Sequence, residues 1–178
     1  MARKATVVKV KINVANMDVH HYQDHEFTIA MHPSENERRV MVRLIAYCFN
    51  AHLNVSLTKG LCADDEPELW AKDDAGVITH WIDLGQLDEK WLRKASSKAQ
   101  HASLYCYGGG AVAPWWQQIA TKLSRFDNLS VWEIDEQQAS DAQSLFSRNM
   151  QLSASIDQNS LCLSNQEHSV WVTPTRLK

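Results

Sequence analysis

The sequence predicts an α/β fold built on a mixed sheet, and three observations carry that expectation. Residues 5–15 alternate, with Val8, Val10, Ile12 and Val14 on one face and Lys9, Lys11 and Asn13 on the other, as a half-buried strand does. From Ser34 to Ile134 the apolar periodicity reads helix, strand, strand, strand, helix, strand, helix, strand. That order mixes hairpins with crossovers, so parallel and antiparallel pairs are expected in one sheet with helices on both faces. Residues 150–173 then hold three short strands, expected to pair with the N-terminal hairpin of residues 5–30. With 178 residues, 44% of them hydrophobic, the chain reads as one domain able to bury a core.

The N-terminal strand turns at Asn16-Met17-Asp18, and His20 to Ala30 returns as a weaker strand. Its histidines, His20, His21 and His25, invite a metal reading. In an extended segment His21 and His25 share a face but stand about 13 Å apart along the strand. They are therefore expected to be ordinary surface histidines. A helix is expected from Ser34 to about Asn50, with Ser34 as cap and Glu37 completing a capping box. Its stripe is Val40, Met41, Leu44, Ile45, Cys48 and Phe49, with Arg38, Arg39 and Arg43 off it. Glu35 sits at the helix start, where a carboxylate complements the helix dipole.

Leu53 to Leu57 reads as a short strand. The stretch from Asp64 to Lys94 follows and organises the chain. Two apolar runs, Leu69-Trp70-Ala71 and Val77 to Leu84, flank the turn signal Asp73-Asp74-Ala75-Gly76, which predicts a hairpin. Each arm carries an acid beside bulky apolar residues: Glu68 before Leu69 and Trp70, and Asp83 between Ile82 and Leu84. Asp88 opens a helix to Gln100 with Trp91, Leu92, Ala95 and Ala99 on one face and Lys90, Arg93, Lys94 and Lys98 toward others. Ala102 to Tyr107 is a strand, and Gly108-Gly109-Gly110 is a flexible turn, since no phosphate-loop pattern follows. Further helices cover Ala113 to Arg125, with Trp115 and Trp116 on the buried side, and Asp135 to about Arg148. The strand Leu129 to Ile134 lies between them.

Composition bounds the function. Cys48, Cys62, Cys106 and Cys162 lie far apart with no C-x-x-C, which fits reduced thiols on core elements. No run is long enough to span a bilayer, and the basic start Met1-Ala2-Arg3-Lys4 leads into a lysine-punctuated strand, not a signal-peptide core. A cytoplasmic protein with no membrane partner is expected. A net charge of −3 weighs against a nonspecific nucleic-acid binder. From the residues alone, acids on adjacent strands with a nearby lysine fit a divalent-metal phosphodiesterase, and they equally fit a half-buried hairpin in a noncatalytic binding module.

The chain resembles the YaeQ family of bacterial proteins. The residues that carry this are Lys4-Ala5-Thr6, His32-Pro33-Ser34-Glu35, Gly60-Leu61-Cys62, Asp65-Glu66-Pro67-Glu68 with Trp70, Trp81-Ile82-Asp83-Leu84-Gly85, Trp115-Trp116 and Leu129-Ser130-Val131-Trp132. The family is similar to a compact variation on the PD-(D/E)XK nuclease superfamily. That likeness implies a restriction-endonuclease-like α-β-β-β-α-β core over about residues 34–134, with flanking strands at 5–30 and 150–173. It places Pro67-Glu68 where the superfamily has Pro-Asp, and Asp83-Leu84-Gly85 where it has (D/E)-x-K. Glu35 matches an acid that some members place on the preceding helix. The implied cofactor is Mg²⁺ or Mn²⁺, with Glu68 and Asp83 as ligands, Glu35 as a third ligand or water partner, and nucleic acid as the partner. Gly85 stands where the lysine belongs, and Lys94, or Lys90 one turn earlier, is expected to replace it from the following helix. The opposing expectation is a degenerate scaffold that binds nucleic acid or a protein without cutting.

Overall fold

The computed structural model describes residues 4–178 apart from the Cys62 side chain. The basic start at residues 1–3 and the expectation for that thiol lie outside the described residues. The strands are β1 (Thr6–Asn16), β2 (His21–Met31), β3 (Ser56–Leu57), β4 (Leu69–Lys72), β5 (Ile78–Leu84), β6 (His101–Cys106), β7 (Leu129–Glu133), β8 (Asn149–Asp157), β9 (Ser160–Ser164), β10 (Ser169–Val172) and β11 (Thr175–Arg176). The helices are α1 (Glu37–Asn50), α2 (Glu89–Lys98), α3 (Val112–Leu123) and α4 (Glu136–Gln143). The fold is mixed α/β. Where one sheet was expected there are two, and the chain divides into two compact units, residues 1–52 with 137–173 and residues 53–136 with 174–178.

The first unit carries a five-stranded sheet in the order β10-β9-β8-β1-β2, in which only β1 and β8 run parallel. The C-terminal strands do pair with the N-terminal hairpin, as their alternation predicts. Val8, Val10, Ile12 and Val14 of β1 and Met150, Leu152, Ala154 and Ile156 of β8 are buried on one face. The turn joining β8 to β9 places Gln158 and Asn159 at positive φ, and both backbone N–H groups donate to the Asp18 carboxylate at 2.8 Å. That pattern suits a two-residue hairpin turn twisted with its strands.

Helix α1 starts two residues later than its capping signal suggests. Asn36 is the cap, and its side chain accepts from the Arg39 N–H. Ser34 instead bonds the His32 ring at 2.6 Å, and the Glu35 N–H donates to the His32 carbonyl, so a tight turn precedes the helix. The arginines also differ from expectation, because Arg43 is buried among the apolar residues of α1. Its partner, described below, supplies the reason.

The second unit carries a six-stranded sheet in the order β11-β7-β6-β5-β4-β3, with β5, β6 and β7 parallel to their neighbours in that set. Central β5 is buried from Trp81 to Leu84, as an interior strand covered on both faces must be. The hairpin forms as its turn signal predicts: the Asp73 carboxylate accepts from the Ala75 and Val77 N–H groups, and Gly76 takes φ +81. The segment at residues 53–57 is less regular than expected, with a short 3-10 turn over Ala51–Leu53 and only Ser56–Leu57 in the sheet. Trp81, Ala102, Leu104, Cys106, Leu129 and Val131 form one sheet face, covered by Leu92 and Ala95 of α2 and Ile119 and Leu123 of α3. Asp88 caps α2 by accepting from the Trp91 N–H at 2.8 Å, which sets the helix directly behind the end of β5. Cys48, Cys106 and Cys162 are free thiols, and burial pushes Cys48 and Cys106 up to about 12, away from thiolate chemistry.

Candidate functional site

The two acids of the hairpin meet. Leu69 pairs with Ile82, and the Glu68 N–H continues the ladder to the Ile82 carbonyl at 3.1 Å. Glu68 therefore stands across from Asp83, and side chains directly opposite in an antiparallel pair share a face. Trp70 and Trp81 are the next pair on that face, their rings edge to face with centroids 6.5 Å apart. Glu68 and Asp83 are each only 5% exposed, so neither carboxyl is solvated as an ordinary surface acid is.

Two tryptophans take up part of that burden. The indole N–H of Trp81 and that of Trp91, on α2, both donate to Asp83 Oδ2 at 2.6 Å. Burial pushes the Asp83 carboxyl up to about 6, the Trp91 and Trp81 donors pull it back, and the Glu68 carboxylate adds to the rise. Asp83 thus titrates well above a surface aspartate. The signal was present in the sequence: Trp81 and Asp83 are two residues apart on one strand and so share a face. Trp91 was placed only on the buried side of its helix.

The lysine position is decided by the backbone. Strand β5 ends at Leu84, and Gly85 takes φ +91 while its N–H donates to the Tyr105 carbonyl. Strand alternation, which would set residue 85 on the same face as Asp83, therefore ends before Gly85. A side chain there would be strained whatever its charge. Lys94 does return toward the strand end, but its ammonium bonds Asp65 Oδ1 at 2.5 Å and lies 4.6 Å from the centre of the Trp91 ring. One indole thus presents its N–H edge to Asp83 and its face to Lys94. The Lys94 contact also holds the Asp65 carboxyl below its usual range. Lys90 is exposed.

Glu35 belongs to the first unit, and it is committed there. Its Oε2 accepts from the His32 N–H at 2.7 Å, and its Oε1 pairs with Arg43 and, at 3.3 Å, with Arg39. This is why Arg43 can be buried: the two charges neutralise each other out of water. Among the described residues no group of three or more His, Cys, Asp or Glu side chains is arranged to hold a metal ion. The histidine pair of β2 departs from its expected separation. His21 Nε2 and His25 Nε2 approach to 2.9 Å, because the two side chains lean toward each other along the strand.

The family model described as YaeQ protein matches residues 1–174. The chain belongs to the YaeQ family. It is 40% identical over 175 residues to "Uncharacterized protein YaeQ" of Escherichia coli strain K12, covering 98% of this chain and 97% of that one. The corresponding protein of Salmonella typhi is 38% identical over the same length and coverage. The crystal structure of a YaeQ protein from Xanthomonas axonopodis pv. citri superposes with a TM-score of 0.94 at 37% identity, covering 98% of both chains. The YaeQ protein of Pseudomonas syringae gives 0.92 at 26% identity, covering 98% of this chain and 96% of that one. The YaeQ likeness thus spans the whole architecture, both sheets included. Function has to be argued from the YaeQ site itself. No helix among the described residues is long and apolar enough to cross a membrane.

Proposed function

We propose that Glu68 and Asp83 form a divalent-cation site, for Mg²⁺ or Mn²⁺, on a nuclease-like scaffold of the PD-(D/E)XK kind, and that the chain acts on nucleic acid through it. The observation that carries this is the facing pair of buried carboxyls, with Asp83 pushed up to about 6. Two such groups repel unless a proton or a cation stands between them. The donors fit: Mg²⁺ takes hard oxygens, keeps several waters and is commonly held by only one or two carboxylates. The Trp81 and Trp91 N–H groups orient the Asp83 carboxyl through Oδ2. A bound Mg²⁺ supplies Lewis-acid polarisation of a phosphate and a lowered pKa for bound water. In this reading Lys94 is the migrated cation that stabilises developing negative charge after exchanging Asp65 for the phosphate. Glu35 has no part in it, since Arg43 and Arg39 already neutralise it.

A second reading is a noncatalytic module that binds nucleic acid or a protein partner. It is favoured by the positive φ at Gly85, which bars a lysine there, and by the Lys94–Asp65 contact. One experiment separates the readings. Mn²⁺ is titrated calorimetrically into wild type, Asp83→Asn and Lys94→Ala, and each protein is incubated with single-stranded DNA, duplex DNA and structured RNA in Mg²⁺ or Mn²⁺. The proposal expects Mn²⁺ binding that Asp83→Asn abolishes, and cleavage that Lys94→Ala abolishes while Mn²⁺ affinity stays. Metal-dependent nucleic-acid binding without cleavage selects the second reading. Mn²⁺ affinity unchanged in Asp83→Asn removes the cation site.

A further inference from the structure

We propose that His21 and His25 form a second, independent metal site, for a divalent transition ion of the imidazole-preferring class such as Cu²⁺ or Ni²⁺, with Tyr47 positioning the His25 ring. Both histidines lie on one face of β2, the edge strand of its sheet, and both are half-buried, so solvent reaches them. Their rings stack with centroids 5.2 Å apart and bring the two Nε2 atoms to 2.9 Å. A contact between two imidazole nitrogens holds one proton. When both rings carry their proton on Nδ1 instead, both Nε2 lone pairs are free to bind an ion.

The distance also speaks to the ion. Nitrogens at about 2.05 Å from a metal on perpendicular axes stand roughly 2.9 Å apart, the edge of a square-planar or tetragonal site. Tetrahedral ligation spreads them to roughly 3.3 Å. Tetragonal nitrogen and oxygen donor sets are the preference of Cu²⁺ and Ni²⁺, and water would supply the remaining donors.

The surroundings match what a histidine ligand needs. A metal-bound imidazole nearly always donates its other N–H to a fixed acceptor. Here His25 Nδ1 lies 2.8 Å from the Tyr47 hydroxyl, and Tyr47 is itself packed on Phe27 with ring centroids 4.5 Å apart. Burial pushes the Tyr47 phenol up to about 12, so it stays a hydroxyl and selects no charge at the site.

The test uses the full chain and the metal alone. Cu²⁺ and Ni²⁺ are titrated calorimetrically into wild type, His21→Ala, Tyr47→Phe and His101→Ala, with circular dichroism to verify folding and electron paramagnetic resonance on the Cu²⁺ forms. His101→Ala removes the other stacked histidine pair, His80 with His101. Expected are one ion per chain and nitrogen hyperfine structure from two imidazoles. His21→Ala should weaken binding more than about 10-fold and leave one nitrogen, and Tyr47→Phe should weaken it about 10-fold at unchanged stoichiometry. His101→Ala should bind as wild type. Binding as tight in His21→Ala and Tyr47→Phe as in wild type, binding that depends on His101, or no binding to wild type at millimolar ion overturns the proposal.

Discussion

The indole N–H of Trp91 donates to Asp83 Oδ2 at 2.6 Å, joining the first turn of α2 to the C-terminal end of the central strand. A carboxyl buried to this degree loses most of its hydration, and donors from the protein must replace it. Trp91→Phe keeps the ring and deletes the donor. It should destabilise the protein by about 1–3 kcal/mol at pH 8, with a smaller loss at pH 4, where Asp83 is protonated. Chemical denaturation at the two pH values reads this directly, and equal losses would mean that the bond contributes nothing to holding the charge.

Asp83 should also leave a mark on the pH dependence of stability. Its folded pKa, about 6, lies above the ordinary aspartate value of 3.8. A raised carboxyl favours the protonated state in the fold. Its contribution is therefore most favourable below about pH 3.8, declines as pH rises to about 6, and is flat above. Asp83→Asn removes that titration. The variant should match wild type near pH 4 and exceed it by about 1–3 kcal/mol above pH 6.5, since each pKa unit is worth about 1.4 kcal/mol. A constant difference across pH 4–8 would contradict the raised pKa.

Cation binding should reverse the same penalty. Mn²⁺ at 100 times its dissociation constant should add about 2.7 kcal/mol to wild-type stability by mass action. Glu68→Gln and Asp83→Asn should each erase the gain. The readout is the melting temperature against Mn²⁺ concentration, with Ca²⁺-free and chelator controls. A gain that persists in both variants would place the ion elsewhere.

Glu35 should behave as a structural group. Removing one partner of a buried ion pair strands the other, at a cost of about 3–5 kcal/mol. Glu35→Ala should therefore lose that much stability, because Arg43 is 2% exposed and keeps its charge. Replacing both, as Glu35→Gln with Arg43→Met, should recover more than half of the loss. Mn²⁺ affinity, measured at a temperature where Glu35→Gln is folded, should equal that of wild type, and a drop above about 10-fold would return Glu35 to the metal site.

Gly85→Lys, which restores the superfamily pattern in sequence, should not restore a lysine in space. The φ of +91 costs an L side chain about 1–2 kcal/mol. The variant should melt earlier than wild type and gain no metal-dependent cleavage. A Gly85→Lys protein as stable as wild type and more active than it would show that the backbone there is free to re-form as strand.

Much of the fold was legible locally. The alternation of residues 5–15, the Asp73 turn, the Asp88 cap and the three-strand run ending at Leu84 each follow from periodicity or turn chemistry within a few residues, and each appears in the structure. The facing of Glu68 and Asp83 was legible too, because a hairpin with a recognisable turn sets its own register. Strand periodicity says which face a side chain takes. It does not say how far side chains lean, so residues about 13 Å apart along β2 could bring their imidazoles to 2.9 Å.

What only the tertiary structure decided is which partner each buried polar group finds. Arg43 reads as a polar helix position until Glu35, held outside the helix by its bond to the His32 N–H, reaches it. Asn36 replaces Ser34 as cap because that same turn occupies Ser34 with His32. Lys94 finds Asp65, and Asp83 finds Trp91, across loops whose closure no local pattern specifies. The division of the strands into two sheets is of the same kind. A strand's own residues encode which face is apolar, whereas its neighbour depends on chain segments that meet only after collapse. The sequence by itself determined the elements and the facing acids. Tertiary packing decided the protonation of Asp83 and the counterions of Arg43 and Lys94, because both depend on desolvation and on groups distant in sequence.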